Sequence, residues 1–510
     1  MSAYQSFRDH IAQINDLLNV FNILNWDSHT QMPHGGAETR GHQLATIIQI
    51  AQERFASDTT ARLLDAVEPE VEDDDYYSYR RREVQNTRWA YDIARRIPAT
   101  LMSRVVGLRP TAEQAWVDAK KHNDFARFAP YLQQAFDYQK QLAEAIGYVD
   151  HPYDALLLRY EPEMNVERLR YLFNTMKATL IPLLQKIVAR GDVARSDFLY
   201  GDYDEGKQRE FALGLAKQFG YDLNRGRLDI SAHPFEVSFT RNDVRITTRY
   251  QRNYLPGALF GVLHETGHAI YEQGASPTLT RTALTTDFLG NYAVAGVSFG
   301  AHESQSRLWE NQVGRSRAFW QLHFPTLQRT FPDQLANVTA DEFYCAVNRV
   351  RPSFIRVEAD EMTCNFHIML RVEIEIGLLD GSINVADLPE IWRAKMQEYL
   401  GVVPPTDTLG VLQDIHWSMA SIGSFCTYTV GNVMSGQWMA AARRDLPTLD
   451  SNLSGGNYAP LLAWLTEHVY RHARAYSPNE LLIRATGEPL NPDAYLTYIS
   501  EKYSDLYDIA

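Results

Sequence analysis

Apolar residues recur at three- and four-residue spacing along almost the whole chain, and sustained period-two alternation is scarce. Leu17, Leu18, Phe21 and Leu24 make one such face, and Leu169, Leu172, Phe173 and Met176 make another. Leu180, Leu184, Ile187 and Val188 follow the same rule. A helix completes a turn every 3.6 residues, so this spacing gathers apolar side chains on one stripe that has to be buried against a neighbour. The best alternation is the short span from Phe235 to Tyr250. It carries Val237, Phe239, Val244, Ile246 and Thr248, with Arg241-Asn242-Asp243 placed to turn it. The pattern predicts a mainly α fold with a small hairpin or sheet in its middle.

The chain has 510 residues, and a rough rule of one domain per ~150 residues suggests about three units. No internal repeat, low-complexity tract or linker supports that division. The acidic stretch from Glu68 to Asp75 and the Asn/Ser/Gly-rich stretch from Thr448 to Tyr458 read as surface breaks. The expectation is a single large helical domain over residues 1–510.

Charge and cysteine usage narrow the partners. Against 49 Lys and Arg stand 63 Asp and Glu, a net charge of −14, which argues against a general nucleic-acid or anionic-membrane binder. No apolar run approaches the ~18 residues of a membrane span. Arg8, Asp9 and His10 interrupt the position where a signal peptide would need apolar residues. Cys345, Cys364 and Cys426 are far apart and do not form a disulfide framework. These features lead us to expect a soluble, cytoplasmic protein.

Leu255 to Gly274 reads as one helix, with Pro256 near its start and Gly274 at its end. Inside it lies H-E-x-x-H: His264, Glu265 and His268. Residues four apart share a helix face, so both imidazoles can meet one cation, while Glu265 is offset and can serve as general base for a water. Two imidazoles suit zinc, which in a catalytic site takes a third protein ligand. Glu272, Glu303 and Glu310 are the downstream candidates. Glu272 lies one turn beyond His268 and would have to bend back. His302 to Glu310 reads as a second helix with Glu303, Arg307 and Glu310 on one polar stripe, and spacing does not choose between its two carboxylates.

Further short motifs follow in order along the chain: His233-Pro234-Phe235, Asp243-x-Arg245-x-Thr247, His302-Glu303-Ser304, Ile355-Arg356-x-x-Ala359-Asp360, and Gly410-x-x-Gln413-Asp414-x-His416-Trp417. Together with the H-E-x-x-H they resemble the carboxypeptidase Taq family, the M32 metallocarboxypeptidases. An N-terminal stretch, Asn25-Trp26-Asp27 through Arg40, resembles the family's entry segment. The resemblance implies a zincin-like fold of long helices around a deep central groove, with a small hairpin or sheet near the H-E-x-x-H helix. It also implies a homodimer, and removal of C-terminal residues from peptides with zinc or cobalt. By motif position it makes His264, His268 and Glu303 the metal ligands and Glu265 the catalytic base. The stretch from Ala275 to Gly300 is longer than the family pattern suggests, with Ala283 to Asn291 holding the extra piece. Ser424, Cys426 and Cys364 also depart from that pattern.

An exopeptidase must recognise a free carboxylate, and the two-pronged guanidinium of Arg does so well. Arg356 is the first candidate and Arg245 the second. A pairing of Arg356 with Asp360 four residues on is the structural alternative. His233, held extended before Pro234, and Gln413 and His416 beside Trp417 are candidate groove residues. His416, with Tyr428 behind it, is the expected donor to the oxyanion. The competing readings are a zinc endopeptidase or oligopeptidase, for which the H-E-x-x-H would serve equally, and a non-catalytic peptide-binding homologue.

Overall fold

A computed structural model describes residues 2–509. Helices account for most of them. The first, Ala3–Thr30, begins where Ser2 Oγ accepts a hydrogen bond from Gln5 N at 3.1 Å, which satisfies one of the free N–H groups of the first turn. Its buried face is Phe7, Ile11, Ile14 and Leu18, at the three- and four-residue spacing expected, and packs with Phe55, Leu64, Val67 and Tyr91. Helix Val166–Arg190 is capped by Asn165 and stops at Gly191, whose φ of 78° a side-chain-bearing residue adopts only under strain. Leu169, Leu172, Phe173, Met176, Leu180, Leu184 and Ile187 are all buried on it, whereas Val188 is exposed.

The chain gathers into two compact units. One comprises the residues up to Ala94, Ala194–Val347 and Ser435–Leu490; the other comprises Arg95–Val193, Asn348–Met434 and the residues from Asn491 on. Each unit is assembled from stretches distant in sequence, so no linker composition marks a boundary.

The first unit contains the expected hairpin, β2 (Glu236–Thr240) and β3 (Asp243–Thr248), joined at Arg241-Asn242. A third strand, β1 (Gly226–Ile230), lies parallel to β3 with Leu228 opposite Ile246, giving the order β1-β3-β2. Helix Leu255–Gly274 packs across β2 and β3, where Val244, Ile246, Thr247 and Thr248 are buried. The segment after this helix folds as two 3₁₀ turns, Pro277–Leu279 and Ala283–Thr285, and a two-stranded ladder of Thr286–Asp287 with Tyr292–Ala293. Phe288 from its tip stacks on Phe55 at 4.1 Å. Asn15 donates to Thr285 O and Thr286 Oγ1, and Asn22 donates to Ser238 O and Ala293 O at 3.0 and 3.1 Å. The extra piece is thus part of the core rather than an external appendage.

In the second unit, helix Thr363–Asp380 is buried on nearly every side. Beside it runs an irregular stretch from Gly401 to Phe425, without regular helix or strand. Among the described residues no helix is long and apolar enough to cross a membrane.

Asn22 is a buried amide whose NH₂ serves two carbonyls from different segments. Replacing it by Leu is expected to lower stability by about 1–3 kcal/mol, the cost of leaving a buried polar group unpaired. Urea denaturation of the variant measures this, and an unchanged midpoint would show that the two carbonyls find other donors.

Candidate metal centre

His264 and His268 lie one turn apart on helix Leu255–Gly274, their ring centroids 5.0 Å apart. A second helix, Phe299–Arg307, starts at Ser298, whose Oγ accepts from Ala301 N at 3.0 Å, and runs on as a wider π-helical turn, Leu308–Val313. The two helices meet at Gly267. A Cβ there would lie 2.5 Å from Gln305 O and 2.6 Å from Ser306 Cα, so the contact requires glycine.

This approach brings Glu303 to the imidazoles. Its Oε2 lies 3.3 Å from His268 Nε2 and 3.6 Å from His264 Nε2. The three ligand atoms all lie within 4.8 Å of one another, and no other such group of three occurs among the described residues. Zinc bonds of ~2.0–2.2 Å in tetrahedral array separate donor atoms by about 3.4 Å, so these residues fit such an ion. Two imidazole nitrogens and a carboxylate oxygen are also the donor chemistry it accepts.

The surrounding charges orient these donors. Glu303 Oε1 accepts from Arg307 Nε at 2.7 Å, and Ser306 Oγ donates to Oε2 at 3.1 Å. Glu310 Oε2 lies 3.0 Å from His264 Nδ1, which turns that ring so that Nε2 faces Glu303. Arg315 Nη2 donates to Glu310 Oε1 at 3.0 Å while its guanidinium lies over Phe260. Glu310 therefore stands behind His264, on its Nδ1 side, while Glu303 meets both Nε2 atoms, a distinction that spacing left open. Burial works against its charge, but His264 and Arg315 outweigh that and hold it down at about 2. Burial likewise opposes the charged Glu303, yet Arg307 and both histidines keep it well below the usual range. Burial disfavours a proton on His264, but Glu303 and Glu310 prevail and raise it to about 9. On His268, burial and the neighbouring His302 push the pKa down to about 3.

Glu265 differs from the other acids. It is buried, and among the described residues no hydrogen bond reaches its carboxylate. Burial raises its pKa to about 7, partly opposed by His264 and reinforced by Glu303 and Glu310. Glu272 sits one turn beyond His268 but does not bend back. Its carboxylate accepts from Ala295 N, Gly296 N and Ser238 Oγ, and meets His302 Nε2 at 3.0 Å. His302 in turn stacks on His268 at 4.5 Å, 14° from parallel. These supporting contacts were not read from the sequence, although the spacings from His268 to Glu272 and from Arg307 to Glu310 carried the signal.

The substrate candidates fall into two groups. In the first unit, His233 is exposed on the turn before β2, with its carbonyl accepting from Ser231 Oγ. Arg245 forks onto Asp243 with two bonds of 2.8 Å and lies over Trp26 and Phe239. In the second unit, Arg356 occupies a 3₁₀ turn, and its expected alternative partner Asp360 instead accepts from Arg351 N, Met362 N and Thr363. Arg356 Nε and Nη2 both meet Asp414 Oδ1, at 3.0 and 2.8 Å, while the fully buried Arg371 takes Oδ2 at 2.5 Å. Gln413 accepts from Arg356 N and donates to Phe354 O, both at 2.8 Å, so its amide holds backbone. His416 lies against Phe425, and burial together with Arg356 lowers its pKa to about 4. Arg371 was missed because it lies in no motif and is flanked by the apolar Leu370 and Val372.

Comparison with known proteins decides the family. The sequence pattern of the carboxypeptidase Taq (M32) metallopeptidases matches residues 6–503. The chain belongs to the M32 carboxypeptidase family. It is similar to carboxypeptidase 1 of Bacillus subtilis, 37% identical over 99% of this chain and 98% of that protein. It is equally similar to thermostable carboxypeptidase 1 of Thermus thermophilus, 37% identical over 99% of both chains. The crystal structure of the M32 carboxypeptidase from Deinococcus radiodurans superposes with a TM-score of 0.94 at 38% identity, over 99% of this chain and 100% of that one. This M32 protein is accordingly a metal-dependent carboxypeptidase, a peptide hydrolase.

A cation arriving at His264 must displace the proton held there up to about pH 9. Its affinity is therefore expected to rise about tenfold per pH unit from pH 6 to 8, one proton leaving per ion bound. Chelator competition across that range measures the slope. A flat dependence would mean that His264 carries no proton before the metal binds.

Proposed function

We propose that this M32 carboxypeptidase uses zinc, held by His264, His268 and Glu303, and Glu265 as general base, to release single residues from peptides with a free C-terminus. The observation that carries the reading is the convergence of the two Nε2 atoms on one oxygen of Glu303, with Glu265 beside them and no protein donor on its carboxylate. Cobalt is the alternative ion by family likeness. When bound there, zinc supplies Lewis-acid chemistry, polarising the scissile carbonyl and acidifying water. Glu265, with a pKa near 7, takes a proton from the attacking water and passes it to the nitrogen of the leaving amine. His416 is neutral near pH 7 and donates an N–H to the developing oxyanion.

Arg356 reads the substrate carboxylate. The support is electrostatic: Arg356 shares Asp414 with the fully buried Arg371, so it is less fully neutralised than a guanidinium with an aspartate to itself. Arg245 is matched one-to-one by Asp243, so its role is to shape the surface near β3, together with His233. Gln413 positions the backbone of Arg356. Three free thiols suit a reducing compartment, so a cytoplasmic setting fits. A homodimer, and a deep groove for the peptide, are carried over from the family likeness.

The experiment is release of free amino acid from an N-blocked peptide with a free or an amidated C-terminus, with and without a chelator. Chelator-sensitive release from the free-carboxyl peptide alone is expected, and internal cleavage of both would refute the reading. In Glu265→Gln, metal content should be unchanged while turnover falls by at least about 10²–10⁴-fold, the contribution of a general base. Normal turnover in that variant would remove Glu265 from the mechanism. For Arg356→Ala, loss of charge-assisted bonds should cost about 10- to 100-fold on free-carboxyl peptides. An equal loss on slow amidated substrates would mark Arg356 as structural.

A further inference from the structure

We propose that Glu375 is a positioning residue that fixes the irregular segment carrying His416, by accepting hydrogen bonds from two points on that segment. The inference rests on the reading of Arg356 as the substrate-carboxylate group and His416 as the oxyanion donor.

Glu375 lies on helix Thr363–Asp380 and is fully buried. Trp417 Nε1 donates to its Oε1 at 2.9 Å. Gly423 N and Tyr153 OH donate to its Oε2 at 3.1 and 2.7 Å. All three are neutral donors. Burial raises the Glu375 pKa to about 7, opposed by these bonds, so the carboxylate is a costly group to keep here. Its use lies in geometry. The indole N–H and the backbone N–H can only donate, and they sit on opposite oxygens. A carboxylate satisfies both. A glutamine of the same shape cannot, because either orientation of its amide sets the NH₂ against one of the two donors. The Tyr153 hydroxyl can rotate and is the adaptable partner.

The segment needs such an anchor because its backbone follows no regular ladder. Ala420 has φ 52° and Gly423 φ 96°, and a Cβ at Gly423 would come within 3.4 Å of the Leu156 backbone. One turn earlier on the same helix, Arg371 holds Asp414. His416 therefore sits between two anchors on one helix, Arg371–Asp414 before it and Glu375–Trp417 after it.

The test compares E375Q, W417F and E375Q/W417F by hydrogen exchange over residues 414–424, by metal content, and by KM and kcat on the N-blocked free-carboxyl peptide. E375Q is expected to speed exchange in that segment and lower kcat/KM about tenfold, since one buried donor is left unpaired and His416 is displaced from the oxyanion, with metal content unchanged. E375Q/W417F is expected to recover much of the loss, because without the indole the amide can give its oxygen to Gly423 and Tyr153. A merely structural role would lower stability while leaving kcat/KM of the folded, metal-loaded protein unchanged. Unchanged exchange in E375Q overturns the inference whatever the activity. Faster exchange with unaltered kcat/KM also overturns the positioning role, and locates the failure in the reading of His416 and Arg356. Should E375Q not fold, W417F alone removes one donor without creating a clash. It is expected to speed exchange around residues 416–418 and lower kcat/KM, and no change in either overturns the inference.

Discussion

Gly267 has no side chain, and the carbonyl of Gln305 occupies the space where one would begin. The candidate metal centre depends on that contact. Two histidines on a helix can be arranged by spacing alone, but a third ligand from another helix needs an interhelical distance set by the residue at the crossing. The second helix is also held from behind. Ser304 accepts from Trp438 Nε1 at 3.0 Å, and Gln305 Oε1 accepts from Tyr470 OH at 2.8 Å. Both residues are fully buried. These polar groups sit in the interior because they are paired, and the pairing keeps Glu303 from drawing back from the imidazoles.

Around that crossing, four glutamates of one chemical type take separate tasks through their partners. Glu303 divides its oxygens between Arg307 and the imidazoles, Glu310 divides its own between Arg315 and His264, and Glu272 is saturated by backbone N–H groups, Ser238 and His302. These three are held ionised. Glu265 alone lacks such donors and alone titrates near neutrality, which is the property a general base needs. The environments push apart the proton affinities of side chains that are identical in water.

Some of this was legible in the sequence, and the rest was hidden for definable reasons. The spacing of His264 and His268 is a direct consequence of helix geometry, and the β2–β3 hairpin announces itself by alternation around Arg241-Asn242. Glu303 and Glu310 lie seven residues apart, two helical turns, so both share a stripe and only the position of the rings decides which meets Nε2 and which Nδ1. β1 escaped because its burial does not follow its pattern: Asp229 is buried and Ile230 is 58% exposed. The stripe His367, Arg371, Glu375 was written at helical spacing but lay in no motif and was flanked by apolar residues, where periodicity is read as packing. The two units escaped because each is built from stretches that are not consecutive.

The second unit shows why counting charges informs more than counting bonds. Arg245 and Arg356 both make two hydrogen bonds to an aspartate, and by that measure they are equivalent. Asp243 serves one guanidinium, whereas Asp414 serves two, one of them fully buried. The strain appears in Arg371, whose pKa is pushed down to about 10 by burial, with Arg356 adding repulsion against the pull of Asp414. Asp414, despite burial, is held well below the usual carboxylate range by Arg371 and Arg356 together. Arg371 also acts on the Glu375 carboxylate one turn further on, whose proton affinity it lowers, so the two guanidiniums divide Asp414 between them in a medium of low polarity, where charges need partners. Arg356 Nη1 takes no part in the bonds to Asp414. In the proposed reading of Arg356, a guanidinium that shares its aspartate with a second one is the better placed of the two to take an incoming carboxylate.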